Sequence, residues 1–175
     1  MPDPVLIAEP DPRWSKKFDE ECERLRAVFG DRLRGLEHIG STSVRGLAAK
    51  PVIDILVGLE TLAEVLESPK LLEAHGWEFP ASINDELFDR RFGKKLENGD
   101  RTHHVHIVVF EGDEWKRLVA FRNALRADPE LRERYESMKR DLATKYKDER
   151  AKYTAAKTDF IAEVLASVGA PALKR

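Results

Sequence analysis

Three residues in two apolar runs of the sequence have side chains that could bind a metal ion together. Asp54 stands alone among the apolar residues of PVIDILV (51–57), and His104 and His106 lie two residues apart in THHVHIVVF (102–110). Side chains alternate along a β-strand, so the two imidazoles would share one face, with their bases roughly 7 Å apart. If the two runs are neighbouring strands of one sheet, the three side chains form a cluster, which we predict to be the catalytic centre.

The chemistry of this cluster favours a transition metal. One carboxylate and two imidazoles supply three ligands and leave coordination positions open for water or a phosphate oxygen. Mg²⁺ prefers oxygen ligands, whereas imidazole suits transition metals such as Zn²⁺. We therefore predict a divalent metal ion at Asp54, His104 and His106, with Zn²⁺, Mn²⁺ or another transition metal before Mg²⁺.

The loop before Asp54, GSTSVRGLAAK (40–50), has the composition of a phosphate-binding turn. A Gly-Ser turn that opens a short helix offers backbone N–H groups, a hydroxyl and the positive end of the helix to an anion. Basic residues of this loop, or of the strand predicted after residue 88, could complete the pocket. The predicted phosphate- or nucleotide-binding residues are Gly40, Ser41, Thr42, Arg45, Lys50, Arg91 and Lys95.

Each of these features also has a purely structural interpretation. A buried aspartate can accept hydrogen bonds or pair with a cation, and strand histidines can belong to the core. The Gly-Ser step can be a turn and a helix cap. The basic residues between 90 and 95 would ordinarily guard a strand edge, and their two pairs point to opposite faces. The charged stripe between Glu130 and Lys152 is typical of a solvated helix face.

The spacing of apolar residues predicts the elements that position these side chains. Intervals of three and four predict a helix from Asp11-Pro12 to Gly30, and further helices over 60–75, over 113–127, from the cap signal Asp128-Pro129 to 146, and over 156–168. The helix over 60–75 is broken near Ser68-Pro69. Apolar and β-branched runs predict strands over 36–39 and 52–57, and a hairpin of 88–96 and 102–110 around Glu97-Asn98-Gly99-Asp100.

The order of these elements predicts the fold class. One helix, a few strands with a helical insertion, and then helices to the end indicate an α/β (α+β) protein, with a small mixed β-sheet flanked by helices. A chain of 175 residues is long enough for one well-cored domain and short for two. We predict a single domain over residues 1–175, with the sheet in 1–112 and the C-terminal helices in 113–175.

The composition excludes several classes of protein. Thirty Lys and Arg against 32 Asp and Glu give a net charge of −2, so no overall basic field attracts nucleic acid or an anionic membrane. Cys22 is the only cysteine, which excludes an intramolecular disulfide, and the sequence has no signal peptide and no apolar run of 18 residues. We expect a cytoplasmic protein without a membrane or nucleic-acid partner.

Four stretches of the sequence resemble the GrpB-like family, part of the superfamily of DNA polymerase beta-type nucleotidyltransferases. They are LEHIGSTSVRGLAAKPVIDILV (36–57), RTHHVHIVV (101–109), FRNALRADP (121–129) and YTAAKTDFI (153–161). The resemblance implies a nucleotidyltransferase-like mixed sheet packed against helices. Because some relatives occur fused to dephospho-coenzyme A kinase, it also implies an association with enzymes of coenzyme A biosynthesis.

The sequence departs from this superfamily at the second acid. Nucleotidyltransferases of this type usually carry an acid two residues after the first and a third acid on a neighbouring strand. Here the second position is Leu56, and His104 or His106 takes the neighbouring-strand position. Leucine cannot bind a metal ion, so the departure argues against chemistry with two Mg²⁺ ions and leaves open a single-metal site or a role in binding alone.

Three functions are compatible with these residues. The first is a metal-dependent enzyme that transfers a nucleotidyl or phosphoryl group, with Ser41 on the phosphate. The second is a nucleotide-binding or accessory module without catalysis, for which Leu56 is the main indication. The third is a His-based nucleotide hydrolase, since HVHIVV resembles the His-triad pattern with Val108 in place of the third histidine. In each case the expected ligand is a nucleotide or another phosphorylated small molecule.

Overall fold

One mixed sheet of five strands lies at the centre of the described chain. The computed structural model describes residues 5–173, so residues 1–4 and 174–175 of the predicted domain lie outside it. The strands are β1 (Leu33–Ile39), β2 (Ile53–Leu59), β3 (Trp77–Glu78), β4 (Arg90–Glu97) and β5 (Asp100–Val109). Their order in the sheet is β1-β2-β5-β4-β3, in which β2 and β5 are parallel and the other neighbouring pairs are antiparallel.

Helices precede the sheet, interrupt it and follow it. They are α1 (Arg13–Phe29), α2 (Leu62–Glu67), α3 (Pro69–Leu72), α4 (Ala81–Asn84), α5 (Asp113–Ala127), α6 (Pro129–Lys145), α7 (Arg150–Ala155) and α8 (Thr158–Ser167). Short 3₁₀ turns occupy Gly30–Arg32, Ser41–Ser43 and Glu73–His75. Within residues 5–173, no helix is long and apolar enough to cross a membrane. The predicted fold class, a mixed sheet with flanking helices and a helical C-terminal part, is confirmed.

The boundaries of the predicted elements differ in a few places. β1 begins at Leu33 rather than at residue 36. α1 begins at Arg13, with Pro12 at the N-cap position, although the Asp11 carboxylate still accepts a hydrogen bond from the Arg13 N–H. The last predicted helix, over 156–168, corresponds to α8, and the short helix α7 lies before it in the chain.

The hairpin of β4 and β5 contains an irregularity that decides which side chains share a face. Asn98 and Gly99 have φ values of 53° and 88°, as a two-residue hairpin turn requires. Leu96 pairs with Arg101, but Lys95 pairs with His103, so Thr102 is an extra residue in β5. Such a bulge moves every later side chain of the hairpin to the opposite face relative to its partner strand.

The two faces of the sheet are covered by different helices. Buried side chains of one face pack with residues of α1, α2 and α3, and they include Ile53, Ile55, Val57, Val105 and Ile107. On the other face, Leu56 and Val108 pack against Trp115 of α5. The parallel register pairs Asp54 with His104 and Leu56 with His106, which places the three polar side chains on this second face.

Candidate functional site

Asp54, His104 and His106 contact one another on the second face of the sheet. The Nδ1 atom of His104 lies 3.0 Å from Oδ1 of Asp54, and Nε2 of His106 lies 3.5 Å from the same oxygen. Because the partner is a carboxylate, Nδ1 of His104 carries the proton and donates it. The parallel pairing of β2 with β5, together with side-chain alternation, therefore brings together the cluster that the sequence predicts.

The cluster combines an ionised acid with a neutral imidazole. Burial raises the pKa of Asp54, but hydrogen bonds from His104 and His106 lower it by more, so the pKa lies below its ordinary value. Burial lowers the pKa of His104, and the nearby carboxylate only partly opposes this effect. The His104 ring is therefore uncharged at neutral pH while Asp54 is charged.

Neighbouring residues fix this cluster in place. The Phe92 ring lies 5.0 Å from the ring of His104 and 5.2 Å from the ring of His106, measured between centroids. On the other side, Gly40 lies directly against the Asp54 carboxylate, so that a Cβ at this position would clash with it. Gly40 also has a φ of 70°, which favours glycine. The glycine of the predicted phosphate turn therefore also makes room for the acid.

The predicted metal site is a hydrogen-bonded network in this structure. The donor types suit a transition metal, and Nε2 of His104 is a buried nitrogen without a hydrogen-bond partner among the described residues. However, no three His, Cys, Asp or Glu side chains within residues 5–173 are arranged as a ready ligand set. A metal ion on Asp54 would have to displace the hydrogen bond from His104, and metal binding at this cluster stays a prediction.

A buried lysine lies against the Gly-Ser turn. The Nζ atom of Lys139, on α6, lies 3.0 Å from Oγ of Ser41 and also donates to the carbonyl of Ala48. Lys139 is only 2% exposed. Burial, followed by the positive charge of Lys157, lowers the pKa of Lys139 to about 7. The next residue of the turn, Thr42, is held by a hydrogen bond of 2.9 Å with Nε2 of His38.

These groups line one pocket of about 720 Å³ between the sheet and the C-terminal helices. The sheet and the turn contribute Asp54, the two histidines and residues 40–42, and α6 to α8 with their connections contribute the opposite wall. Five cationic side chains line the pocket against the single carboxylate of Asp54. They are Lys50, Arg101, Lys139, Arg150 and Lys157. In a chain with a net charge of −2, this pocket is a local concentration of positive charge.

Three of the predicted phosphate-binding residues lie elsewhere. Gly40, Ser41, Thr42 and Lys50 line the pocket, but Arg45 lies in a separate cavity of about 480 Å³ beside α6. Arg91 is paired with Ile107 and Lys95 with His103, on the face that packs against α1. Arg91 donates to the carbonyls of Leu87 and Arg90, and Lys95 pairs with the buried carboxylate of Glu21 at 2.8 Å.

The bulge at Thr102 is the physical reason for this correction. Counting back from a two-residue turn without a bulge would pair Arg91 with His106 and Lys95 with Thr102, which places both cations on the face of the cluster. The extra residue shifts the register by one and sends both side chains to the other face.

The sequence interpretation missed most of the cations that line the pocket. Lys139 and Arg150 fall within the charged stripe that was predicted to be solvated, and Arg101 and Lys157 were not singled out. A signal for Lys139 was available, because it lies four residues after Tyr135 and so continues the apolar stripe of α6. Both residues are buried.

Comparison with other proteins identifies the family. The family model described as GrpB protein matches residues 4–167. The chain belongs to the GrpB family. It is 35% identical, over 164 residues, to the glutamate-rich protein GrpB of Alkalihalophilus pseudofirmus, a match that covers 92% of this chain and 94% of that protein. The crystal structure of the conserved protein GrpB from Enterococcus faecalis superimposes with a TM-score of 0.83 at 36% identity, and covers 93% of this chain and 96% of the other.

A longer relative carries this domain together with additional sequence. A protein of Mycolicibacterium paratuberculosis named dephospho-CoA kinase is 27% identical to this chain, and the match covers 88% of this chain. The matched region is only 43% of that protein's length. GrpB-family domains therefore occur fused within proteins of that name.

Proposed function

We propose that this GrpB-family protein binds a phosphorylated small molecule of the nucleotide class in the Asp54 pocket. The observation that carries the proposal is the set of five cationic side chains around one pocket with a single carboxylate. Several basic side chains around one concave space raise the local positive potential, and this potential attracts an anionic ligand. A ligand with several phosphate oxygens fits such a potential.

The size and lining of the pocket support a ligand of nucleotide size. A volume of about 720 Å³ lies within the range of roughly 300–1,000 Å³ that small-molecule sites have. The lining also includes the aromatic rings of Phe92, Tyr135 and Tyr153, and Nζ of both Lys50 and Lys157 lies about 5 Å from the centroid of the Tyr153 ring. A ligand with an anionic part and a planar part suits such a lining.

The fusion to dephospho-CoA kinase in relatives supports a role connected with coenzyme A biosynthesis. The substrate of an enzyme with that name is itself a phosphorylated nucleotide derivative. We propose that the ligand belongs to this chemical group and that the protein associates with enzymes of that route. The wider kinship with nucleotidyltransferases is also part of this proposal, supported by the acid on β2 that follows a Gly-Ser turn.

Transfer of a nucleotidyl or phosphoryl group is the second candidate function. The donor types of Asp54, His104 and His106, one carboxylate and two imidazoles, suit a transition metal. When bound, such an ion would neutralise developing charge on a phosphate. The cations of the pocket would hold and orient the phosphate oxygens. Leu56, which is fully buried among apolar side chains, supplies no second acid, so binding alone remains the first proposal.

The third function, a His-based hydrolase, has less support. In the His-triad pattern the third histidine would stand at Val108. Val108 is 1% exposed and packs in the apolar cluster with Leu56 and Trp115. A side chain in that place is withdrawn from the pocket, so we do not propose this chemistry.

A thermal-shift screen with matched variants tests the proposal. We expect ATP, coenzyme A or pyrophosphate to raise the melting temperature, and adenosine without phosphate to leave it unchanged, because only ligands of the native state stabilise it. Ser41→Ala should weaken binding by about 1 kcal/mol, the scale of one hydrogen bond. Arg45→Met, outside the pocket, is the control and should bind as the wild type does. Failure of every phosphorylated compound to shift the wild type would refute the proposal.

A further inference from the structure

Lys139 is held in an environment that does not suit a permanent charge. Its side chain is almost fully buried, and the two oxygens that accept its hydrogen bonds, the Ser41 hydroxyl and the Ala48 carbonyl, are both uncharged. The face of the Tyr135 ring, 4.9 Å from Nζ to the centroid, is its third neighbour. A buried ammonium with neutral partners loses hydration that these contacts only partly replace.

The charged groups that face Lys139 add to this effect. Lys50, from the loop before β2, and Lys157, from the turn before α8, bring positive charge from two other segments, and Arg140 brings it from α6. Glu136 is the carboxylate that opposes them. Its oxygens accept hydrogen bonds from the Ala48 N–H and from Arg140, so its charge is already shared. Tyr135 stays protonated, since burial raises the pKa of its phenol.

We propose that Lys139 takes up a proton when an anion enters the pocket, so that the protein binds its ligand and close to one proton together. Lys139 then selects ligands with a doubly charged phosphate group, because such a group stabilises the ammonium form most strongly. This inference rests on the proposed anion binding and names the residue that couples it to pH.

The physical basis is a change of partner. In the free protein, desolvation and three neighbouring cations disfavour the charged amine, and its pKa of about 7 reflects this balance. A phosphate beside Ser41 would bring two negative charges to the hydroxyl that Lys139 already contacts at 3.0 Å. Opposite charge at that range favours the ammonium form, which the bound anion then holds in place.

Calorimetry with inorganic sulfate tests the coupling, since sulfate is a dianion that does not itself titrate near neutral pH. Titrations at pH 8 in buffers with different ionisation enthalpies give the number of protons taken up per sulfate bound. With a starting pKa of about 7, roughly nine tenths of the Lys139 amines are neutral at pH 8, so we expect uptake of about 0.9 proton. The dissociation constant should rise up to about tenfold per pH unit above pH 7.

Variants at two positions of α6 show whether Lys139 is the group that takes up the proton. Lys139→Arg keeps a charge at every pH and should bind sulfate with no proton uptake and a flat pH profile. Lys139→Met, a neutral side chain of similar length, should also show no uptake and should bind more weakly. Lys145→Arg changes an exposed lysine of the same helix and should behave as the wild type. Circular dichroism confirms that each variant is folded.

The outcomes separate this inference from the proposed function. If sulfate does not bind to the wild type, the inference about Lys139 is overturned, and the proposed function fails only if the phosphorylated compounds of the thermal-shift screen also do not bind. If sulfate binds without proton uptake, or if Lys139→Arg takes up as many protons as the wild type, the inference about Lys139 is overturned, while anion binding in the pocket stands. Proton uptake by Lys139→Arg would come from another group of the pocket, such as His104, whose ring is uncharged in the free protein.

Discussion

The carboxylate of Asp54 lies against the α-carbon of Gly40, in the space that a Cβ on residue 40 would occupy. The contact joins the turn after β1 to the first residues of β2, where Ile39 pairs with Asp54. The acid and the turn are therefore positioned by one another.

Gly40→Ala should strongly destabilise the protein because it adds two costs. The φ of 70° with a ψ of −178° lies in a region essentially restricted to glycine and strains a residue with a Cβ by roughly 1–3 kcal/mol, and the clash with Asp54 adds about 1–3 kcal/mol. Gly46→Ala is the matched control, since Gly46 has a φ of 79° but no atom within 4 Å of an added Cβ. Urea unfolding of both variants measures the difference. Equal losses would show that the contact with Asp54 carries no cost.

Lys95→Met should destabilise the protein without changing anion binding. Lys95 contacts the carboxylate of Glu21 at 2.8 and 3.0 Å, and Glu21 is 1% exposed, so removal of the lysine leaves a buried charge short of a partner. Arg24 still pairs with Glu21, so we expect a loss of about 3 kcal/mol, at the low end for such pairs.

The double variant Glu21→Met with Lys95→Met provides the control for that loss. Removing both charges should recover much of the stability, because no unpaired group remains buried. Sulfate affinity should equal that of the wild type in both variants. A weaker affinity in Lys95→Met would return this lysine to the phosphate-binding set.

Stability should depend on pH through Lys139. Its pKa is about 7 in the folded chain and roughly 10.4 when unfolded, so between these values the unfolded chain holds more protons than the native one. The free energy of unfolding therefore rises with pH, by at most about 1.4 kcal/mol per unit. Denaturation at pH 7.5 and 9 should show this gain in the wild type relative to Lys139→Met, with Lys145→Met as control. If the free energies of unfolding of the wild type and Lys139→Met differ by the same amount at both pH values, Lys139 does not titrate in this range in the folded protein.

If the cluster is a metal site, metal binding should depend on Asp54, His104 and His106. We expect calorimetric titration with Zn²⁺ at pH 7.5 to show one site. The affinity should fall in acid, below the ordinary imidazole pKa of about 6.5, because burial lowers the pKa of His104. His106→Ala should abolish the site, and His75→Ala, at an exposed position outside the pocket, should retain it. Absence of any heat with Zn²⁺ or Mn²⁺ would leave the cluster as a hydrogen-bonded network.

The sequence predicts correctly those site residues whose side of the sheet depends only on the alternation of side chains along a strand. Asp54, His104 and His106 needed only the assumption that their two strands are neighbours, and the apolar runs around them made both strands evident. The same alternation failed for Arg91 and Lys95, because the face of a residue in β4 also depends on the register through the hairpin. One extra residue at Thr102 changes that register, and nothing in the local composition marks it.

The cations from the helical part were hidden for a different reason. A long charged side chain on a helix looks the same in sequence whether it faces water or a pocket, because its aliphatic part tolerates both. Which of them is covered depends on how α6 to α8 lie on the sheet, and that is decided by contacts distant in sequence. Lys139 is the cation whose burial the sequence could reveal, because its position on the apolar stripe with Tyr135 predicts that it is buried.

The two walls of the pocket come from separate parts of the chain, and this has a mechanical consequence. The sheet presents the acid and the imidazoles, while three of the five cations, Lys139, Arg150 and Lys157, come from the helical part after residue 128. Lys50 from the sheet side and Lys157 from the helical side both bring positive charge close to Lys139, where these parts meet. A phosphorylated ligand bound as proposed would contact both parts, and would therefore act as a non-covalent clamp that stabilises the packing of the C-terminal helices on the sheet.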